Sequence, residues 1–203
     1  MRTPDEIVIP FSRPPERQRP VGEVRSTLIT SSLQSLRERR YLDAYLEALP
    51  RPMHDAILTA VAGSWMPIEI ARAHYEACDT LRLADEEREA IGAEVGTRVY
   101  GTFLGTLVRA ARGAGITPWL GLQQYARMWS RIFRGGDVAV FKTGPKDSRL
   151  EMLGLPLARY DYFRAGFRGV NRATCGLFAA TVFVHEVPRL CTDNSLGFKI
   201  SWA

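Results

Sequence analysis

Apolar positions recur at helical spacing through most of the first two thirds of the chain and change to strand-like runs in the last third. After Gly22, Ser26 or Thr27 can cap a helix that carries Leu28, Leu33 and Leu36, and a second helical pattern covers residues 41–49 until Pro50 stops it. Pro52 suits the first turn of a helix over about 53–62, which Gly63 ends. Over about 67–81, Ile68, Ala71, Tyr75 and Cys78 share one face. The longest helical pattern runs over about 85–112, with Asp85, Glu86 and Glu87 in its first turn, where the helix dipole favours acids. Thr117 and Pro118 start another that carries Trp119, Leu122, Tyr125, Trp129 and Phe133 and stops at Gly135 and Gly136. Strand-like runs at 138–142 and 149–155 then flank a hairpin loop at 144–147. A helix over about 160–177 and two closing strands, 181–187 and 197–202, complete the pattern. The order predicts an α+β fold: about six helices packed on a small four-stranded antiparallel sheet formed by the C-terminal third.

The first 22 residues break this pattern. Pro4, Pro10, Pro14, Pro15 and Pro20 predict an extended arm, from which Ile7, Val8, Ile9 and Phe11 can add a short edge strand or dock in a groove. With 203 residues and 46% hydrophobic content, residues 23–203 are expected to form a single domain, helical over 23–134 and hairpin-helix-hairpin over 137–202. No apolar run reaches the roughly 18 to 20 residues of a membrane span, and the acids and prolines at the start do not read as a secretory signal. Cys78, Cys175 and Cys191 form no CxxC pair, so reduced thiols and a cytoplasmic location are expected.

The net charge of +5 conceals a split. Residues 69–94 hold eight acids against three arginines, whereas residues 109–172 hold twelve Lys or Arg against four acids. Opposed surfaces of this kind can steer a partner or pair two copies in a homodimer. Aromatic and basic residues do not interleave in a nucleic-acid motif, so nucleic acid is not the expected partner.

Gly92 and Gly96, and Gly101 and Gly105, form two four-residue spacings in the longest helix. Each costs about 1 kcal/mol against alanine, which close packing within the fold, a dimer seam or a ligand-contact face would offset. His74 and Cys78 are four apart on one helix face, as two metal ligands can be, but a structural zinc site needs about four ligands and no second pair follows. His54 stands at a helix start, and His185 and Glu186 point to opposite faces of a strand. Nothing matches a nucleophile elbow, a GxGxxG turn or a phosphate loop, so an enzyme is not the expected reading.

The order of elements over about 85–202 resembles the fold shared by haem nitric oxide/oxygen-binding domains, vinyl-reductase-type ligand-binding domains and TRAPP-like trafficking subunits. It is also similar to bacterial paralogues of about this length. The haem-binding members carry Tyr-x-Ser-x-Arg after the hairpin to hold the haem propionates. The corresponding stretch here is Tyr160-Asp161-Tyr162-Phe163-Arg164, with tyrosine in place of the serine. Their haem-ligating histidine lies on the helix before the hairpin, and the helix over 119–133 has none. The resemblance thus implies a domain with no cofactor, haem included. TRAPP-like members place a buried cysteine beside an apolar tunnel for acylation, and Cys78 and Cys175 are the candidates for that position.

Two functions follow as expectations. The first is a non-enzymatic sensory or regulatory domain that takes a small apolar ligand between the glycine-bearing helix and the sheet. Phe103, Leu107, Trp129, Phe163, Phe167 and Phe178 are its candidate lining, with Tyr160 and Arg164 added by the resemblance. The alternative is a dimeric protein-interaction module with no small-molecule ligand.

Overall fold

A computed structural model describes residues 5–110 and 117–203, apart from the side chains at 102–104 and 107–110. Its elements are β1 (Glu6–Ile9), β2 (Glu23–Arg25), α1 (Ser26–Glu38), α2 (Leu42–Ala48), α3 (Arg51–Leu58), β3 (Trp65–Pro67), α4 (Ile68–Thr80) and α5 (Asp85–Ala110). They continue with α6 (Pro118–Leu122), α7 (Tyr125–Ile132), β4 (Phe133–Arg134), β5 (Asp137–Gly144), β6 (Asp147–Leu153), α8 (Asp161–Gly176), β7 (Val182–Glu186) and β8 (Ser195–Trp202).

The α+β class is as expected, and two details differ. The main antiparallel sheet has five strands in the order β1-β5-β6-β8-β7. The fifth is the arm, which lays Glu6 against Lys142 and Ile7 against Phe141 along the free edge of β5. A second sheet, β3-β2-β4, joins three segments of two or three residues each. Such short pieces hold too few positions for alternation to show. Among the described residues eight helices replace about six, in part because the expected helix over 118–133 is interrupted at Gln123 and Gln124, between α6 and α7.

Alternation sets the sheet. Val138, Val140, Leu150, Met152, Leu196, Phe198 and Ile200 point inward and are almost wholly buried, while Arg149 and Lys199 take the other face. Above the inner face lies α8, with Phe163, Phe167 and Phe198 forming an aromatic row whose successive centroids are 5.3 and 6.5 Å apart.

Helix α5 crosses α8 at backbone contact. A Cβ on Gly92 would stand 1.9 Å from the Gly166 carbonyl oxygen, and one on Gly169 would stand 1.9 Å from that of Glu89. Of the three readings of the glycine series, close packing within the fold accounts for Gly92 and also for Gly96, which faces Val170. By contrast, among the described residues a Cβ on Gly101 would meet only a Thr97 methyl at 3.8 Å.

The arm is held by Asp137 at the start of β5. Its Oδ2 accepts from Ser12 N (2.6 Å), Ser12 Oγ (2.8 Å), Arg13 N (3.3 Å) and Gln18 Nε2 (2.7 Å). Behind it Gly136 N donates to Arg19 O and Val21 N to Gly154 O. Gly135, at φ +93, passes so close that a Cβ would lie 2.3 Å from Pro20 O.

Candidate functional site

The side chains that α1, α2, α4 and α8 bury against one another include several that are not apolar. His74, on the inner face of α4, has no exposed surface. Its Nδ1 is hydrogen-bonded to the Tyr45 hydroxyl of α2 at 2.9 Å, and its Nε2 to Ser32 Oγ of α1 at 3.1 Å. Ser32 Oγ in turn meets the Tyr162 hydroxyl of α8 at 2.8 Å. The Cys78 sulfur lies 3.7 Å from His74 Nε2 and is a neighbour of the Tyr162 hydroxyl. Burial pushes the His74 pKa down to about 3, so the ring is neutral, and pushes the Cys78 thiol well up, which makes it an inert sulfur. His74 and Cys78 are neighbours as the spacing suggested, yet among the described residues no group of three or more His, Cys, Asp or Glu converges as a metal site would require.

Ser32 and Tyr162 also line a cavity between α1, α4, α5 and α8. Its other walls include Leu28, Tyr75, Ile91, Val95, Phe163, Phe167 and Val170, with Gly92 and Gly166 at the helix crossing. Measured as room for the centre of a water molecule, its volume is about 30 Å³. One water needs roughly 10–15 Å³ by that measure, so the space is small and mostly apolar.

At the N-terminus of α8 the first amides are met by the chain itself. Asp161 N and Tyr162 N donate to the Asp79 carboxylate of α4 at 3.1 and 2.7 Å, which satisfies two donors of the opening turn. Desolvation raises the Asp79 pKa against the pull of those two bonds.

The expected site residues are brought together only in part. Phe163 and Phe167 line the cavity. Trp129 is buried beside Phe133, and its Nε1 donates to Gly135 O, so it braces the turn that receives the arm. Phe178 packs on Gly121. Tyr160 stacks on Tyr75 beside Arg72, and Arg164 pairs with Glu186 of β7. Phe103 and Leu107 lie outside the described residues. Ser32, Tyr45 and Tyr75 were not anticipated. Ser32 sits in the apolar stripe between Leu28 and Leu36, and a hydroxyl at a core-facing position was the available signal.

The fold is that of haem nitric oxide/oxygen-binding domains, abbreviated H-NOX. An Fe(II) unliganded H-NOX protein from K. algicida superposes with a TM-score of 0.60 at 9% identity, over 88% of this chain and 96% of that one. An oxygen-binding H-NOX domain related to soluble guanylate cyclases gives 0.53 at 15%, over 88% and 94%. A structure concerned with haem distortion in the H-NOX family gives 0.58 at 15%, over the same shares. No family model and no curated protein sequence matches the chain.

This likeness overturns the expectation of a domain with no cofactor. That expectation rested on one helix lacking a histidine, whereas the whole fold is shared with domains described by their haem, and haem therefore stands as a candidate. The packing described does not fit it as it stands. A cavity of about 30 Å³ has no room for a porphyrin, and Tyr160, Tyr162 and Arg164 are each engaged within the chain. Both ring nitrogens of His74, the histidine beside the cavity, are occupied too.

Proposed function

We propose that this chain is a sensory domain whose ligand, small and largely apolar, binds between α1, α4, α5 and α8, without catalysis and in the cytoplasm. The observation that carries the reading is the apolar cavity with a buried, hydrogen-bonded polar chain in its wall. Ligand sites of this kind combine apolar lining with a few placed polar groups. The H-NOX fold, one of whose solved examples is oxygen-binding, supports a small ligand. Among the described residues no helix is long and apolar enough to cross a membrane.

A second reading, a dimeric interaction module, is favoured by one observation. β7 is an outer strand of the main sheet, and Phe183 on it is 51% exposed, as an edge that pairs with another strand would be.

One preparation tests both. Protein purified from haem-supplied cells is examined by native mass spectrometry and by its absorption spectrum, before and after denaturation. A retained mass released on denaturing supports the ligand site, and a haem absorption band identifies the occupant as haem. A ligand-free dimer moves the weight to the second reading, and a ligand-free monomer refutes both.

A further inference from the structure

The hydrogen atoms of the buried chain can be counted. Leaving aside the weak thiol donor of Cys78 (3.7 Å from His74 Nε2), Tyr45, neutral His74, Ser32 and Tyr162 each bring one donor proton, and the contacts Tyr45–His74, His74–Ser32 and Ser32–Tyr162 each use one. One proton is therefore left at an end, and which end depends on the His74 tautomer. With the proton on Nδ1 the chain runs from Tyr162 toward Tyr45, and the spare proton is the Tyr45 hydroxyl's. That hydroxyl belongs to a residue with no exposed surface, and the described contacts give it no second acceptor. A buried donor left unpaired is destabilising. With the proton on Nε2 the chain runs the other way: Tyr45 donates to Nδ1, Nε2–H to Ser32, and Ser32 to Tyr162. The spare proton is then the Tyr162 hydroxyl's, next to the Cys78 sulfur, a weak acceptor, on a residue that lines the cavity.

We propose that the chain is polarised from Tyr45 to Tyr162 and that the ligand taken into the cavity carries a hydrogen-bond acceptor, which receives the Tyr162 hydroxyl proton. This deepens the reading of the cavity as a ligand site and rests on it. The ligand class is a small apolar molecule with one acceptor atom, which competes with the Cys78 sulfur for that proton. Ser32, His74 and Tyr45 hold the hydroxyl in its donating sense and act as positioning residues.

Two measurements on the full chain test this. Ring nitrogen NMR of the unliganded protein reads the tautomer directly. The Nε2–H form is expected, and the Nδ1–H form overturns the proposal. Acetonitrile and propyne, of nearly the same shape but with and without an acceptor nitrogen, are then titrated against the Ile91 and Val95 methyl resonances. Acetonitrile is expected to bind roughly fivefold more tightly, and Tyr162→Phe to abolish that preference while propyne binding persists. Equal affinities in the unmodified protein overturn this inference and leave the ligand site standing. If neither probe binds, the ligand site itself falls. Should Tyr162→Phe fail to fold, the tautomer and the two affinities of the unmodified protein still decide.

Discussion

Replacing Gly92 by alanine puts the crossing of α5 and α8 to a quantitative test. The added Cβ would lie 1.9 Å from the Gly166 carbonyl oxygen and 2.4 Å from its carbonyl carbon and Cα. Ordinary contact begins at 3.4 Å, so the helices must separate by about 1.5 Å, and the obstacle is backbone that no rotamer change can clear. Gaps of 0.5–1 Å already forfeit about a quarter to a half of a dispersion contact, and overpacking of a tight core costs about 1–3 kcal/mol. Alanine returns about 1 kcal/mol of helix propensity. The balance is a loss of up to about 2 kcal/mol, or up to roughly 4–8 °C in Tm for a chain of this size. Gly101→Ala is the internal control. It lies on the same helix, its Cβ would meet among the described residues only the Thr97 methyl at 3.8 Å, and it should gain up to about 1 kcal/mol. Thermal and urea denaturation of both variants, read by circular dichroism, measure the difference. If Gly92→Ala is as stable as the unmodified protein, the helices are not in backbone contact and the account of the glycine series is wrong.

Three further outcomes are expected. Asp137→Ala should release the arm at a cost of about 3 kcal/mol, because four donors lose a charged acceptor, and trypsin should then cut after Arg17, which unlike Arg13 and Arg19 is not followed by proline, far faster than before; an unchanged cleavage rate would refute the anchor. His74 has a folded pKa of about 3, below its ordinary 6.5, so below pH 6.5 the unfolded chain takes a proton that the fold refuses. Stability contributed by neutral His74 is thus full above pH 6.5 and declines as pH falls toward 3, by about 1.4 kcal/mol per unit. Between pH 6.5 and 4 the loss is about 3 kcal/mol, and a His74→Gln variant should show a correspondingly flatter acid limb in urea titrations. Asp79→Ala should remove the carboxylate that caps α8 and lower stability by about 1 kcal/mol, read as earlier amide hydrogen exchange at Asp161 and Tyr162.

Much of the fold was legible because its signals are local. Proline and glycine punctuation marks the ends of α2, α3 and α4, and the acids of Asp85, Glu86 and Glu87 mark the start of α5. Alternation marks β6 and β8, whose inward residues are Leu150, Met152, Phe198 and Ile200. The arm was legible as extended chain, and Ile7 and Ile9 as strand formers, but the edge they join was not. The candidate site was far less legible. Aromatic residues near one another in the pattern were taken together, whereas Trp129 braces a turn, Phe178 fills the space over Gly121, and Arg164 turns to Glu186. Ser32 and Tyr45 went unread because hydroxyl groups on a helix carry no periodic signature of their own.

By itself the sequence determined the α+β class and the order of the longer elements, since propensity, capping and periodicity act between residues a few positions apart. Only the tertiary structure decided that Gly92 meets Gly166, that Asp137 holds an arm more than a hundred residues earlier, and that Ser32, Tyr45, His74 and Tyr162 form one chain beside a cavity. Those contacts join segments with no local pattern in common. They exist because burying each helix's apolar face leaves a few polar groups inside, and each of these must then find its partner among whatever the packing brings near.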